Sequence, residues 1–109
     1  MTVSYRDARK FPGTREQIIL ASEEAARRSG FKLREQSGIG GWLYAKARIS
    51  FWSWGENVTI RVDGDNIVHV TSDSRVPFTL ADYGKNRRNV ERFLGHLASL
   101  LSPAWPTGG

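Results

Sequence analysis

The chain has 109 residues and a formal net charge of +5, with 16 Lys and Arg residues against 11 Asp and Glu residues. This length suits a single domain with one hydrophobic core. The absence of cysteine excludes disulfides, thiolate metal sites and thiol nucleophiles. No apolar run approaches the roughly 18 residues of a membrane span, and no secretion signal follows the first basic residues. We therefore expect a cytoplasmic protein that makes no membrane contact, and its basic charge permits acidic partners.

The opening of the chain predicts a strand followed by a helix. Val3 and Tyr5 alternate with polar residues, which is the period of a half-buried strand. Thr14 and Gln17 have capping-box spacing, and small apolar residues follow at helical intervals. Gly30 is expected to close this helix in the left-handed conformation, because glycine adopts positive φ without strain.

The middle of the chain predicts four strands in succession, joined by turns that are rich in Gly, Asn and Asp. Apolar residues occupy alternate positions in each strand, so one face is apolar and the other polar. In chain order these strands contain Phe31 to Gln36, Trp42 to Trp52, Val58 to Val62, and Ile67 to Thr71. Strands joined by short turns pair as antiparallel neighbours, so the four form a meander.

A second amphipathic helix is predicted near the end of the chain, with Asp82 or Asn86 as its N-cap. Pro103 should end it within a residue or two. Residues 1–102 are therefore predicted to form one domain, and residues 103–109, which are rich in Pro and Gly, a tail. The apolar stripe of the helix consists of Val90, Phe93, Leu94, Leu97 and Leu101.

The element order β-α-β-β-β-β-α predicts an α+β fold, in which both helices cover the apolar face of an antiparallel sheet. That order is similar to the repeat of the TATA-binding protein, whose opposite sheet face is free to bind. Similarity of fold does not by itself carry a function. The face expected under the helices consists of Leu33, Leu43, Ala45, Ile49, Val58 and Ile60.

Two short motifs carry a second resemblance. They are Ser53-Trp54-Gly55-Glu56 and Asp82-Tyr83-Gly84-Lys85-Asn86, the latter followed by Asn89-Val90-Glu91. The combination resembles a family of small bacterial domains of unknown function with S-W-G-E and D-W-G-K-N-x-x-N-V motifs. Tyr83 stands where that pattern has Trp. The resemblance implies a fold, and it implies no catalytic residue.

The residues that enzymes use are sparse. His69 and His96 have no second ligand at metal spacing. One hypothesis puts His69 on the open sheet face beside Asp63 or Asp73, but a solvated or hydrogen-bonded structural histidine is the preferred interpretation. We therefore predict no catalytic residue, no metal and no organic cofactor. A small hydrolase or transferase remains a distant third hypothesis.

The start of the last helix is a candidate anion site. Lys85, Asn86, Arg87 and Arg88 lie where free backbone N–H groups attract negative charge. The phosphate-loop pattern fails, because Asn86 stands where that motif needs Ser or Thr. Plain helix capping is the preferred interpretation.

The uncovered face of the sheet is the sharpest functional feature. It combines basic residues with an aromatic ring, as do surfaces on which single-stranded nucleic acid stacks its bases and places its phosphates. The preferred interpretation is an ordinary solvated face on which Glu35, Asp63 and Asp73 neutralise the basic residues in cross-strand pairs. The candidate binding residues are Lys32, Arg34, Tyr44, Lys46, Arg48 and Arg61.

Trp52 and Trp54 form a candidate protein contact, since exposed Trp is enriched at binding hot spots. Packing with Phe78 and Trp105 under the last helix is the preferred account. The sequence thus predicts a non-catalytic binding or accessory domain of unknown ligand. A protein partner, self-association and single-stranded nucleic acid all remain open.

Overall fold

The structure is a computed structural model that describes residues 2–37, 40–47, 56–75 and 83–102. Its elements follow the predicted order β-α-β-β-β-β-α, and the class is α+β as expected. In chain order they are β1 Thr2–Lys10, α1 Arg15–Arg28, β2 Lys32–Ser37, β3 Trp42–Lys46, β4 Glu56–Val62, β5 Ile67–Arg75 and α2 Tyr83–Leu101.

The strands form one antiparallel sheet in the order β1-β5-β4-β3-β2. The predicted meander of β2 to β5 is confirmed. β1 adds to the outer side of β5, in a ladder that runs from Thr2↔Arg75 to Lys10↔Ile67. Because β1 pairs along its whole length, β5 extends past Thr71, where the sequence pattern placed its end. Residues 48–55, which the sequence assigns partly to the long third strand, lie outside the described residues.

Both ends of α1 have the predicted caps. The Thr14 hydroxyl accepts from the Gln17 backbone N–H at 3.1 Å, and the Gln17 side chain accepts from the Thr14 N–H at 2.9 Å. Gly30 has a φ of 82°, and the N–H of Phe31 donates to the Ala26 carbonyl at 2.9 Å. This Schellman motif turns the chain so that Phe31 is buried and stacks on Phe93, with ring centroids 6.4 Å apart.

The helices cover one face of the sheet, α1 over β2 to β4 and α2 over β1 and β5. Leu33 is half-buried beside the core, and Ile49 lies outside the described residues. No helix in the described part of the chain is long and apolar enough to cross a membrane. The fully buried core side chains include Ile18, Leu43, Val58, Ile60, Val70, Val90, Phe93, Leu94 and Leu97.

The N-cap prediction for Asn86 is wrong, because α2 begins at Tyr83 and Asn86 lies inside the helix. Asp82 is outside the described residues. Instead of capping, the Asn86 Oδ1 accepts a hydrogen bond from the Ser72 hydroxyl at 2.7 Å. The Asn89 amide donates to that hydroxyl at 3.2 Å and to the Glu56 carboxylate at 3.1 Å. These four buried side chains form a polar cluster that ties α2 to β4 and β5.

Candidate ligand-binding face

The open face is the side of the sheet opposite the helices, and register places its residues in three cross-strand rows. Alternation directs one set of side chains into the core and leaves the other set on this face. The rows are Lys32-Lys46-Asn57-Asp73-Ser4, Glu35-Tyr44-Thr59-Thr71-Arg6, and Trp42-Arg61-His69-Ala8.

A register shift on the edge strand β2 adds one residue, Arg34, between Leu33 and Glu35. A β-bulge of this kind redirects a side chain locally. Arg34 lies in the same depression of the surface as Lys32 and Lys46. The sequence pattern put Lys32 and Arg34 on one face through strict alternation. In the structure they line one depression because of the bulge.

The described residues of the open face line two depressions that share Tyr44 and Thr59. We name them the ring depression and the basic depression. The ring depression, of about 590 Å³, is lined by residues that include Arg6, Trp42, Tyr44, Thr59, Arg61, His69 and Thr71. The basic depression, of about 810 Å³, is lined by residues that include Lys32, Arg34, Tyr44, Lys46, Asn57 and Thr59.

Tyr44 is the aromatic group most available to a ligand on this face. It is 46% exposed, whereas large apolar side chains are normally buried. Its ring lies 5.0 Å from that of Trp42, centroid to centroid, with the planes tilted by 59°. Trp42 therefore supports the Tyr44 ring from one side and leaves Tyr44 accessible for stacking.

The basic groups of this face are clustered rather than paired. Within the described parts of the chain, Arg6, Lys32, Arg34 and Arg61 form neither an ion pair nor a side-chain hydrogen bond. The Lys46 ammonium donates to the Asn57 side chain at 3.0 Å, and an amide oxygen does not neutralise its charge.

The expected neutralisation by acidic residues is not observed. Of the three carboxylates considered, Asp63 binds His69, while Glu35 and Asp73 form no salt bridge with any described residue. The cross-strand ion pairs of the preferred interpretation are therefore absent between the described side chains.

His69 is held by the turn that precedes its strand. Its Nε2 lies 2.9 Å from Asp63 Oδ2, while Asp63 Oδ1 accepts the backbone N–H groups of Asp65 at 2.9 Å and Ile67 at 3.0 Å. These contacts lower the pKa of Asp63 to about 2. The hydrogen bond with His69 is the largest cause, and the backbone hydrogen bond from Ile67 is the second. Of the two partners proposed for His69, the structure selects Asp63.

The sequence did not assign Arg6 and His69 to the candidate site. Arg6 reaches it because β1 pairs with β5, which places Arg6 in one row with Tyr44. No local pattern indicates that pairing. Alternation along β5 places His69 on the open face, where it pairs with Arg61 of β4. This signal could have identified His69 from the sequence.

The candidate anion site at the start of α2 does not form one surface. Asn86 is fully buried and bonded to Ser72, and the Arg87 guanidinium binds the Glu91 carboxylate at 3.1 Å. Arg88 is exposed, and the Lys85 side chain lies outside the described residues. Arg48, Trp52 and Trp54 also lie there, so their predicted roles remain predictions.

No group of three or more His, Asp or Glu side chains that could hold a metal ion occurs among the residues of known placement.

Comparisons with known proteins bear on fold and leave the ligand open. The model of a family described as "Protein of unknown function (DUF1499)" matches residues 3–97, and no curated protein is significantly similar to the chain. The crystal structure of Ara h 8.0201 aligns with a TM-score of 0.54 and 9% identity, over 94% of this chain and 99% of that chain. A Thermus thermophilus protein, TTHA0849, aligns with a TM-score of 0.47 and 12% identity, over 94% and 99% of the two chains. At 9% identity the likeness to Ara h 8.0201 concerns the fold alone.

Proposed function

Because the chain belongs to the DUF1499 family, whose description assigns no activity, we propose its function from the open face itself. The domain is a non-catalytic binding module, and single-stranded nucleic acid is the ligand class that fits the face best. The observation that carries this proposal is the group of four unpaired cations, Arg6, Lys32, Arg34 and Arg61, around the exposed Tyr44 ring in the described part of the chain.

The physical fit has two parts. A base stacked on an aromatic side chain contributes roughly 1 to 3 kcal/mol, whatever its identity, because every base has a π-face. Lys and Arg follow the phosphates and release counterions. A ligand with both rings and repeated negative charge uses Tyr44 and the surrounding cations together, whereas a simple anion uses only the cations.

The non-catalytic part of the proposal rests on the residues available. The chain has no cysteine, and among the described residues no nucleophilic side chain is hydrogen-bonded to His69 of the open face. Asp7 is the only carboxylate among the described residues that line the two depressions, so neither depression contains the pair that acid-base hydrolysis uses.

Fluorescence anisotropy with short labelled single strands at low and moderate salt tests the proposal. The wild-type protein should bind, and log affinity should fall with log salt by about 0.7 per phosphate contact. Arg61→Gln should weaken binding and make the slope shallower by nearly one contact. Tyr44→Ala should cost roughly 1 to 3 kcal/mol of stacking with little change in slope.

The matched control is Arg27→Gln, which removes the same charge from an exposed position on α1, behind the sheet. It should bind like the wild type. Absence of wild-type binding at low salt would refute the nucleic-acid proposal and leave a protein partner or self-association. Equal losses in Arg27→Gln and Arg61→Gln would reduce the interaction to general charge attraction.

A further inference from the structure

The two depressions of the open face differ in chemistry. The ring depression holds Trp42 and Tyr44 together with His69 and the hydroxyls of Thr59 and Thr71, which are groups that hydrogen-bond base edges. The basic depression has no ring other than the shared Tyr44 among its described residues, and its long side chains are Lys32, Arg34 and Lys46. Lys acts on phosphate as a point charge, and the planar guanidinium of Arg binds phosphate through two parallel hydrogen bonds.

The rows of the sheet determine how these groups are spaced. Neighbouring strands lie about 4.8 Å apart, so the five-stranded face is roughly 19 Å wide between its edge strands. Lys32 and Arg34 lie on one edge strand, β2, and Arg6 lies on the other, β1. Tyr44 on β3 stands between them, with Thr59 and Thr71 in its row on the way to Arg6. The cations therefore flank the rings on both sides along a path that crosses the strands.

Building on the proposed function, we propose that the ring depression is a base subsite and the basic depression a phosphate subsite. A single strand of nucleic acid then crosses the β-strands from β2 toward β1, with one base against Tyr44 and Trp42. The phosphate of that nucleotide stays beside Arg61 in the ring depression, and the phosphates of the next nucleotides contact Lys32 and Arg34. The footprint is about 4 nucleotides, the lower end of the range for single-strand sites on sheet surfaces.

A length series tests this division. Thymidine 5′-monophosphate and oligothymidylates of increasing length are titrated at low salt, and the salt slope is measured for each. Affinity for the wild-type protein should rise with length up to about 4 nucleotides. Longer strands should gain only the small statistical factor that comes from having several equivalent positions for binding. The salt slope should level off at the same length, because no further phosphate finds a cation.

Two variants separate the subsites. Trp42→Ala should weaken binding of the monophosphate and of the tetramer by the same factor, roughly tenfold or more. The double variant Lys32→Gln/Arg34→Gln should bind the monophosphate like the wild type, yet bind the tetramer more weakly. Its salt slope for the tetramer should be shallower by nearly two contacts, about 1.4. The double variant Arg27→Gln/Arg28→Gln removes two charges from exposed α1 positions and is its matched control.

Lys32 and Arg34 are exposed on an edge strand, so the test survives even if Trp42→Ala, checked by circular dichroism, fails to fold. Equal weakening of monophosphate and tetramer by Lys32→Gln/Arg34→Gln would overturn the division. The division would also be overturned if the wild-type affinity were the same at all lengths, or if it rose steadily with every added nucleotide. If no length binds at low salt, the proposed function itself fails, which is a distinguishable result.

Discussion

At the scale of single residues, Asp63 has two structural roles, one in the β4–β5 turn and one on the open face. One of its oxygens accepts two backbone N–H groups of the β4–β5 turn, and the other binds His69. The carboxylate thus supports the turn and also holds a ring in the depression where we place a base. Because all three contacts favour the charged form, its pKa falls from 3.8 to about 2.

This lowered pKa predicts a specific loss of stability in acid. A carboxylate with a folded-state pKa below its unfolded value stabilises the fold fully above the unfolded pKa, and this contribution disappears as pH falls toward the folded value. The difference in unfolding midpoint between wild type and Asp63→Asn should therefore be constant near pH 5.5 and shrink between about pH 4 and pH 2. Thermal unfolding followed by circular dichroism measures it.

His69→Gln serves as the comparison, because it removes the largest cause of the shift and leaves the two backbone donors. It should show an intermediate dependence on pH. Parallel curves for wild type and Asp63→Asn down to pH 2 would contradict the assignment.

At the scale of elements, α2 is attached to the sheet by polar as well as apolar contacts. Glu56 ends the S-W-G-E motif, while Asn86 and Asn89 belong to the second motif, and the fold brings them together around Ser72. All four side chains are buried. Since buried polar groups need partners with defined geometry, the cluster favours one position of α2 over the strands. Glu56, Asn86 and Asn89 thus make a structural contact between the strands and α2.

Asn89→Ala should destabilise the domain by roughly 1 to 3 kcal/mol, because it removes donors to a buried carboxylate and a buried hydroxyl. Urea unfolding measures the loss. Asn57→Ala is the matched control, since Asn57 is exposed on the open face and its loss should stay within about 0.5 kcal/mol. Equal effects of the two substitutions would mean that the buried cluster contributes nothing to the position of α2.

At the scale of the whole molecule, one hydrophobic core joins both helices to the sheet. It extends from Ile18 of α1 through Leu43, Val58 and Val70 of the central strands to Leu97 of α2. Because no described element has a separate core, local unfolding of one element exposes the apolar surface of the others. Residues 1–102 are accordingly predicted to unfold as one unit.

Deletion of residues 103–109 tests this domain boundary. The shortened chain should still unfold in a single transition, because one core joins the elements of residues 1–102, and the loss in free energy of unfolding measures the packing of Trp105. Coincident denaturation curves from far-ultraviolet circular dichroism and tryptophan fluorescence would establish the single transition. Two separate transitions would contradict the boundary, whereas a loss above about 1 kcal/mol in one transition agrees with packing of Trp105 beside Phe78.

The sequence by itself determined the elements and the grouping of side chains on each strand, because the interactions responsible are local. The Thr14 capping box and the left-handed Gly30 involve neighbours within one turn. Alternation in β3 and β4 likewise placed Tyr44 and Arg61 on the open face, since the period of a strand is a property of its backbone.

Only the tertiary structure decided which distant residues meet. The pairing of β1 with β5 brings Arg6 into the row of Tyr44, and no local period marks that pairing. The same holds for Asn86. Its position in the sequence predicted a helix cap, whereas in the fold it packs against Ser72. Whether acidic residues neutralise the basic residues of the open face also depends on distances between side chains of different strands. Such distances follow from sheet order and register, which hydrophobic contacts far apart in the chain determine.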